Sequence, residues 1–116
     1  QEIGAFYGAQ VEMHHYEPLF KDMRQDKKLL DLFKDVMTEF GETPRILPDD
    51  EADGSTDVGN VSYEVPTAQP TLQIGLGLEA HTPEFTCAAG SDYGLAQAIK
   101  GAKIMSVVAL RYAMCK

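Results

Sequence analysis

The sequence predicts an α/β fold, in which segments with the spacing of strands alternate with segments with the spacing of helices. Three observations predict it. Residues 9–14 alternate apolar and polar side chains, residues 26–40 carry an apolar stripe at helical spacing, and residues 94–114 repeat that helical pattern. A chain of 116 residues is long enough for one small domain and too short for two. We therefore expect one domain, or part of one.

The first strand is predicted at residues 9–14, where Ala9, Val11 and Met13 share one face and polar side chains occupy the other. Pro18 ends this regularity. Residues 21–28 are mostly charged, which indicates a hinge or loop between two packing units.

The first long helix is predicted between Asp26 and Phe40. Its apolar side chains recur at helical spacing, so they form one stripe: Leu29, Leu30, Phe33, Val36, Met37 and Phe40. Asp26 is the expected N-cap, because its carboxylate can accept hydrogen bonds from the free N–H groups and lies at the positive end of the helix dipole. Gly41 is expected to close the helix in a left-handed conformation.

A second strand is predicted at residues 68–76, where Leu72, Ile74 and Leu76 alternate with other residues. The last helix is predicted over residues 94–114, with Ser91 as its N-cap. It carries small residues that would allow close packing on a sheet: Gly101, Ala102, Ser106 and Ala109. The element order is therefore strand, helix, loop, strand, helix.

Composition excludes several classes of partner. With 10 Lys and Arg against 18 Asp and Glu, the net charge of -8 repels a phosphate backbone, so we expect no nucleic-acid partner. No apolar run approaches the length that spans a bilayer, so we expect no membrane segment.

Cys87 and Cys115 lack the spacing of a disulfide framework, which favours a reducing compartment and a cytoplasmic location. The chain starts at Gln1 without an initiator methionine, and we interpret it as truncated.

The turn at 54–57 (Gly-Ser-Thr-Asp) is the first candidate site. Ser55 and Thr56 offer hydroxyl donors, and Asp57 can orient a ligand or a substrate amine. The same residue types also form hydroxyl turns or cap a short helix over residues 58–63. Asn60 and Ser62 have the same two interpretations, and the spacing alone does not separate them.

His81 is the candidate metal ligand, because an imidazole in a loop after a strand is a common way to bind zinc, and Pro83 would help to hold that loop. The alternative is a histidine with ordinary hydrogen bonds in a surface loop.

His14 and His15 would point to opposite faces of a strand and cannot chelate one ion together. Cys87 is better explained as a buried or half-buried thiol than as a reactive one. The acidic residues of the region 42–53 lack the pattern of a calcium loop and are interpreted as a solvated loop: Glu42, Asp49, Asp50, Glu51 and Asp53.

An ordered series of motifs resembles one family. They are GSTDVGNVS (54–62), VPT (65–67), IG (74–75), AHTPEF (80–85), AAGS (88–91) and GAK (101–103). Together they resemble the C-terminal part of the co-catalytic zinc amidohydrolases related to aminoacylase and aminobenzoyl-glutamate hydrolase. The match is closest to the dipeptidase-like branch that includes the beta-alanyl-lysine dipeptidases.

This resemblance implies a partial three-layer zinc-peptidase catalytic domain at residues 19–116, preceded at residues 1–18 by the last strand of a lid and dimerisation domain. It implies that His81 binds one of a pair of zinc ions, with manganese as the alternative metal. It also implies that the substrate, a dipeptide or an N-acyl amino acid, lies against Ser55, Thr56, Asp57 and Asn60. The complete protein would be a homodimer.

The family's other metal ligands and its catalytic glutamate pair have no counterpart in this sequence, so no catalytic residue is assigned. We therefore expect this chain alone to be inactive and to bind metal weakly. One alternative is a catalytically inactive module of the same fold that acts in association or regulation. Another is an independent acidic α/β binding domain.

Overall fold

The computed structural model describes residues 2–48 and 54–114. Over these residues it consists of five α-helices: α1 (Glu2–Phe6), α2 (Lys27–Glu39), α3 (Val58–Val61), α4 (Pro83–Ala89) and α5 (Asp92–Met114). Helices α2 and α5 pack against each other, and α4 packs against α5. Most of the predicted acidic loop (Asp49, Asp50, Glu51 and Asp53) and Cys115 lie outside the described residues.

Both ends of α2 confirm the sequence prediction. The Asp26 carboxylate accepts a hydrogen bond from the Leu29 N–H at 2.8 Å, so Asp26 is the N-cap. At the other end Gly41 has a φ of +81°, a left-handed conformation that glycine adopts without steric cost. The N–H groups of Gly41 and Glu42 donate to the carbonyls of Thr38 and Met37, which is the Schellman pattern of helix termination.

Helix α5 also forms where the sequence predicts it. The Ser91 hydroxyl accepts a hydrogen bond from the Gly94 N–H at 3.1 Å, which confirms Ser91 as the N-cap. Gly94 is buried where α5 meets α4, and an added Cβ there would collide with the Ala88 carbonyl. The glycine therefore permits the close approach of the two helices.

The segments predicted as strands differ from the prediction. Residues 9–14 are exposed throughout and residues 68–74 have no regular secondary structure; no paired strand occurs anywhere in 2–48 or 54–114. A strand exists only where a neighbouring segment completes its hydrogen bonds. Here the Gln73 carbonyl accepts instead from the Gln97 side chain on α5, at 3.0 Å. The α/β arrangement of a complete domain stays a prediction.

The core lies between α2 and α5. Its buried side chains are Val36, Met37, Ile104 and Val108. Partly buried apolar side chains surround it: Leu29, Leu32, Phe33, Phe40, Leu72 and Val107. The α2 members of the core belong to the predicted apolar stripe, so burial of that stripe against α5 holds the two helices together.

Two ion pairs also link α2 and the turn that follows it to α5. The Arg111 guanidinium donates two hydrogen bonds to the Glu39 carboxylate, at 2.6 and 2.8 Å. The Lys100 ammonium contacts the Glu42 carboxylate at 2.5 Å. Hydrogen bonds from Arg111 and Lys100 hold the pKa values of Glu39 and Glu42 below their usual range.

The structure is extended for its length. Its radius of gyration is 19.3 Å, whereas a compact domain of 116 residues has about 13 Å. Many large apolar side chains remain exposed, including Ile3, Phe6, Met13, Leu76, Leu95, Ile99, Leu110 and Met114. Among the described helices, none has both the length and the apolar character needed to cross a bilayer.

Shortening a core side chain should lower the free energy of unfolding. Ile104, which is 3% exposed, loses one buried methylene in Ile104→Val, and we expect a loss of about 1 kcal/mol. Ile99 lies on the same helix and is 59% exposed, so Ile99→Val is the matched control and should change stability by less than about 0.5 kcal/mol. Urea unfolding followed by circular dichroism measures both. Equal effects of the two substitutions would contradict this core.

Acid should weaken the contact between α2 and α5. Because the pKa values of Glu39 and Glu42 are lowered in the folded chain, their contribution is present above the unfolded pKa of about 4.3 and disappears as the pH falls through the folded values. The thermal midpoint should therefore fall between about pH 5 and pH 3. In the double variant Glu39→Gln/Glu42→Gln this fall should be smaller. An unchanged acid dependence in that variant would show that other carboxylates are responsible.

Candidate functional site

The turn at 54–57 leads directly into α3. Gly54 has a φ of +144°, a conformation that side chains rarely adopt. The Thr56 hydroxyl accepts a hydrogen bond from the Val58 N–H at 3.3 Å, while the Asp57 side chain makes no capping hydrogen bond. Ser55 and Asp57 are exposed. Thr56 thus forms a hydroxyl turn just before the helix, one of the local roles that the sequence left open, and the Ser55 hydroxyl and the Asp57 carboxylate face solvent.

The Asn60 side chain makes two hydrogen bonds to a distant part of the chain. Its carbonyl oxygen accepts from the Lys21 N–H at 2.8 Å. Its amide nitrogen donates to the Leu19 carbonyl at 3.2 Å. Asn60 therefore binds the backbone on both sides of Phe20. The structure gives it this structural role, and the contact with substrate stays a prediction.

Ser62 and Tyr63 extend this connection. The Ser62 hydroxyl accepts from the Arg24 N–H at 2.9 Å and donates to the Gly59 carbonyl at 2.6 Å. The Tyr63 hydroxyl donates to the Asp22 carboxylate at 2.5 Å. That bond lowers the pKa of Asp22 and raises the pKa of Tyr63, because it stabilises the carboxylate and the neutral phenol.

Cations also pack on the Tyr63 ring. The Arg24 guanidinium carbon lies 3.8 Å and the Lys21 ammonium 4.6 Å from the ring centroid. These contacts change the interpretation of residues 21–28. The sequence indicated a hinge or a loop there, and residues 21–26 do lack regular secondary structure. Residues 21–24 are nevertheless bound to α3 and its following turn, and Lys27 and Lys28 belong to α2.

His81 lies in the turn that precedes α4. It is exposed and has a φ of +65°, which is uncommon for a residue other than glycine. The next residue, Thr82, caps α4 by accepting from the Phe85 N–H at 3.2 Å and also donates to the Glu79 carbonyl at 2.8 Å. Pro83 occupies the first turn of the helix, where its missing N–H costs nothing. The predicted stiffening of this loop by Pro83 therefore has a structural basis.

The structure does not assemble a metal site around His81. In the described ranges, no group of three or more His, Cys, Asp or Glu side chains is placed to hold a metal ion. Cys87 on α4 is exposed, so the prediction of a buried or half-buried thiol is wrong. His14 makes one weak contact of 3.4 Å with Glu12. The described part of the chain thus supplies one imidazole at this position, that of His81, and not a complete set of metal ligands.

The contacts between residues 19–24 and α3 were not predicted from sequence. They join residues that lie about 40 positions apart, as the bond between Lys21 and Asn60 does with a separation of 39. No local sequence pattern predicts such a pairing. The only signal is the cluster of hydrogen-bonding side chains at Asn60, Ser62 and Tyr63. The sequence predicted Asn60 and Ser62 as turn residues or as substrate contacts and assigned no role to Tyr63.

Comparison with curated proteins finds similarity to Xaa-Arg dipeptidase from Mus musculus and from Homo sapiens. Each is 42% identical to this chain over 57 residues. The matched segment covers 49% of this chain and spans only 13% of the length of either relative. No protein-family model matches the chain, and no solved structure matches it. These findings support a dipeptidase-like relationship for about half of this chain.

Proposed function

We propose that this chain is part of a metal-dependent amidohydrolase that cleaves the amide bond of dipeptides or N-acyl amino acids. The observation that carries the proposal is the 42% identity to Xaa-Arg dipeptidase over 57 residues. It supports a peptidase-like hydrolase in general. The narrower reaction rests on the series of motifs from GSTDVGNVS to GAK, which resembles the co-catalytic zinc amidohydrolases.

The first substrates to test are dipeptides with a basic C-terminal residue. The name of the relatives specifies arginine at that position. The net charge of -8 supports this choice, because an acidic protein attracts a cationic substrate over a distance. We propose that Ser55 and Asp57, which are exposed, contact such a substrate, and that Thr56 supports them by fixing the start of α3.

We propose His81 as a ligand to zinc, or to manganese as the alternative. No hydrogen bond to its ring is found in the described parts of the chain, and its exposure leaves a ring nitrogen accessible. One imidazole does not fill a tetrahedral zinc site, so the remaining ligands must come from other residues. When bound, such a metal lowers the pKa of a water molecule and polarises the scissile carbonyl.

The remaining features of the proposal rest on the resemblance. They are a homodimer in the complete protein and an α/β catalytic domain that follows a lid domain. The cytoplasmic location rests on the spacing of the cysteines. The alternative function is an inactive module of the same fold that acts in association or regulation. The two functions differ in whether the complete protein hydrolyses dipeptides.

A metal-dependent hydrolysis assay tests the proposal. The complete gene product that contains this sequence should release the basic amino acid from dipeptides when supplied with Zn²⁺ or Mn²⁺. His81→Ala should lower kcat/KM by more than about 100-fold, because even residues that only orient a ligand contribute 10- to 100-fold. His15→Ala is the matched control, since His15 is also exposed and should leave activity unchanged.

The same experiment includes the 116-residue chain alone. We expect weak zinc binding by titration calorimetry and no turnover. Tight stoichiometric binding with turnover would overturn the prediction that this chain lacks most of the metal ligands. Full activity of His81→Ala would remove His81 from the metal site, and a complete protein without activity would favour the inactive module.

A further inference from the structure

Residues 19–24 run along α3 and the turn after it, held by side chains from Asn60, Ser62 and Tyr63. We name these contacts the clasp. We infer that Asn60 is a positioning residue, which sets the location of the turn at 54–57 by fixing α3 to the backbone of residues 19–21. The inference rests on the proposed function only in taking that turn as the place where the substrate binds.

The geometry of the Asn60 amide carries the inference. Its oxygen accepts from the N–H of Lys21 and its nitrogen donates to the carbonyl of Leu19, at 2.8 and 3.2 Å. In a parallel sheet, the backbone of one residue makes the same two hydrogen bonds to the residues before and after the residue opposite it. The side chain therefore replaces a strand partner for residues 19–21.

The backbone of α3 lies close to the backbone of Lys21 at Gly59. It is buried, and a Cβ added to it would collide with the carbonyl of Lys21. The backbones of α3 and of the segment 19–24 therefore touch directly beside the Asn60 amide. A glycine is needed here for close approach and not for its conformation, since its φ is not in the left-handed region.

The clasp also connects to α2. The Asp26 N–H donates to the carbonyl of the buried Thr67 at 2.8 Å, immediately before α2 begins. Residues 9–18, by contrast, are exposed at every position. The segment that precedes Leu19 is thus exposed to solvent, whereas hydrogen bonds join residues 19–26 to Asn60, Ser62 and Thr67. A displacement of Leu19 or Lys21 would therefore reach the turn at 54–57 through Asn60.

Amide hydrogen exchange, followed by nuclear magnetic resonance on the 116-residue chain, tests the clasp without requiring activity. In Asn60→Ala the Lys21 amide should exchange about five- to tenfold faster, because it loses its acceptor. In Asn60→Asp the Lys21 amide should lose less protection than in Asn60→Ala, since the carboxylate still accepts from it although the hydrogen bond to the Leu19 carbonyl is lost. Ser62→Ala should accelerate the Arg24 amide and leave Lys21 unchanged. Amides in the middle of α2 and α5 report whether each variant remains folded.

The backbone signals of Ser55 and Asp57 give the second readout. They should shift in Asn60→Ala and shift less in Asn60→Asp, which keeps the acceptor for the Lys21 N–H. A role in substrate contact alone would not produce this graded response. An unchanged Lys21 exchange rate in a folded Asn60→Ala would overturn the inference. Unchanged Ser55 and Asp57 signals in a folded Asn60→Ala would overturn it as well.

Gly59→Ala probes the same contact from the backbone. The added methyl group should force residues 19–24 away from α3, so the Lys21 and Arg24 amides should both lose protection. Gly90→Ala is the matched control, because its new Cβ would meet only ordinary contacts at 3.8 and 3.9 Å. Retained protection in Gly59→Ala would contradict the close approach. If the complete protein proves inactive but the exchange rates change as expected, the proposed function is wrong and the inference about Asn60 is still supported.

Discussion

The packing of α2 against α5 is the contact on which the rest of this structure depends. Each candidate region is attached to one of these helices. Residues 19–26 lead into α2 and are hydrogen-bonded to α3 and the turn after it, whereas α4 packs on the first turn of α5 at Gly94. The turn at 54–57 is thus connected to α2 through residues 19–26, and His81 is connected to α5 through α4.

The helices could be predicted from sequence because their signals are local. Asp26, Gly41 and Ser91 each act within four residues of their own position, and the stripe from Leu29 to Phe40 repeats within a single element. A short sequence window contains all of this information. For the same reason a hydroxyl turn at Thr56 was available as one interpretation, and the structure shows that turn, whereas the contact with substrate stays a prediction.

The strands and the clasp depend on partners far away in the sequence. Alternation at residues 9–14 shows which residues would share a face, but the pattern does not supply the neighbour that a strand requires. Asn60 meets the backbone of Lys21, 39 residues earlier, and the identity of an asparagine says nothing about that distance. The exposure of Cys87 was missed because burial is a property of the whole packing arrangement, not of the residue type.

The exposed apolar surface of the described residues has a thermodynamic consequence. Only Val36, Met37, Ile104 and Val108 are buried hydrophobic side chains there. The heat capacity of unfolding comes mainly from apolar surface newly exposed to water, and here much of that surface is hydrated before unfolding begins. The chain should therefore have a heat-capacity increment below the usual value of about 12 cal/mol/K per residue. Its stability then varies with temperature along a flatter curve than that of a well-packed domain of equal length.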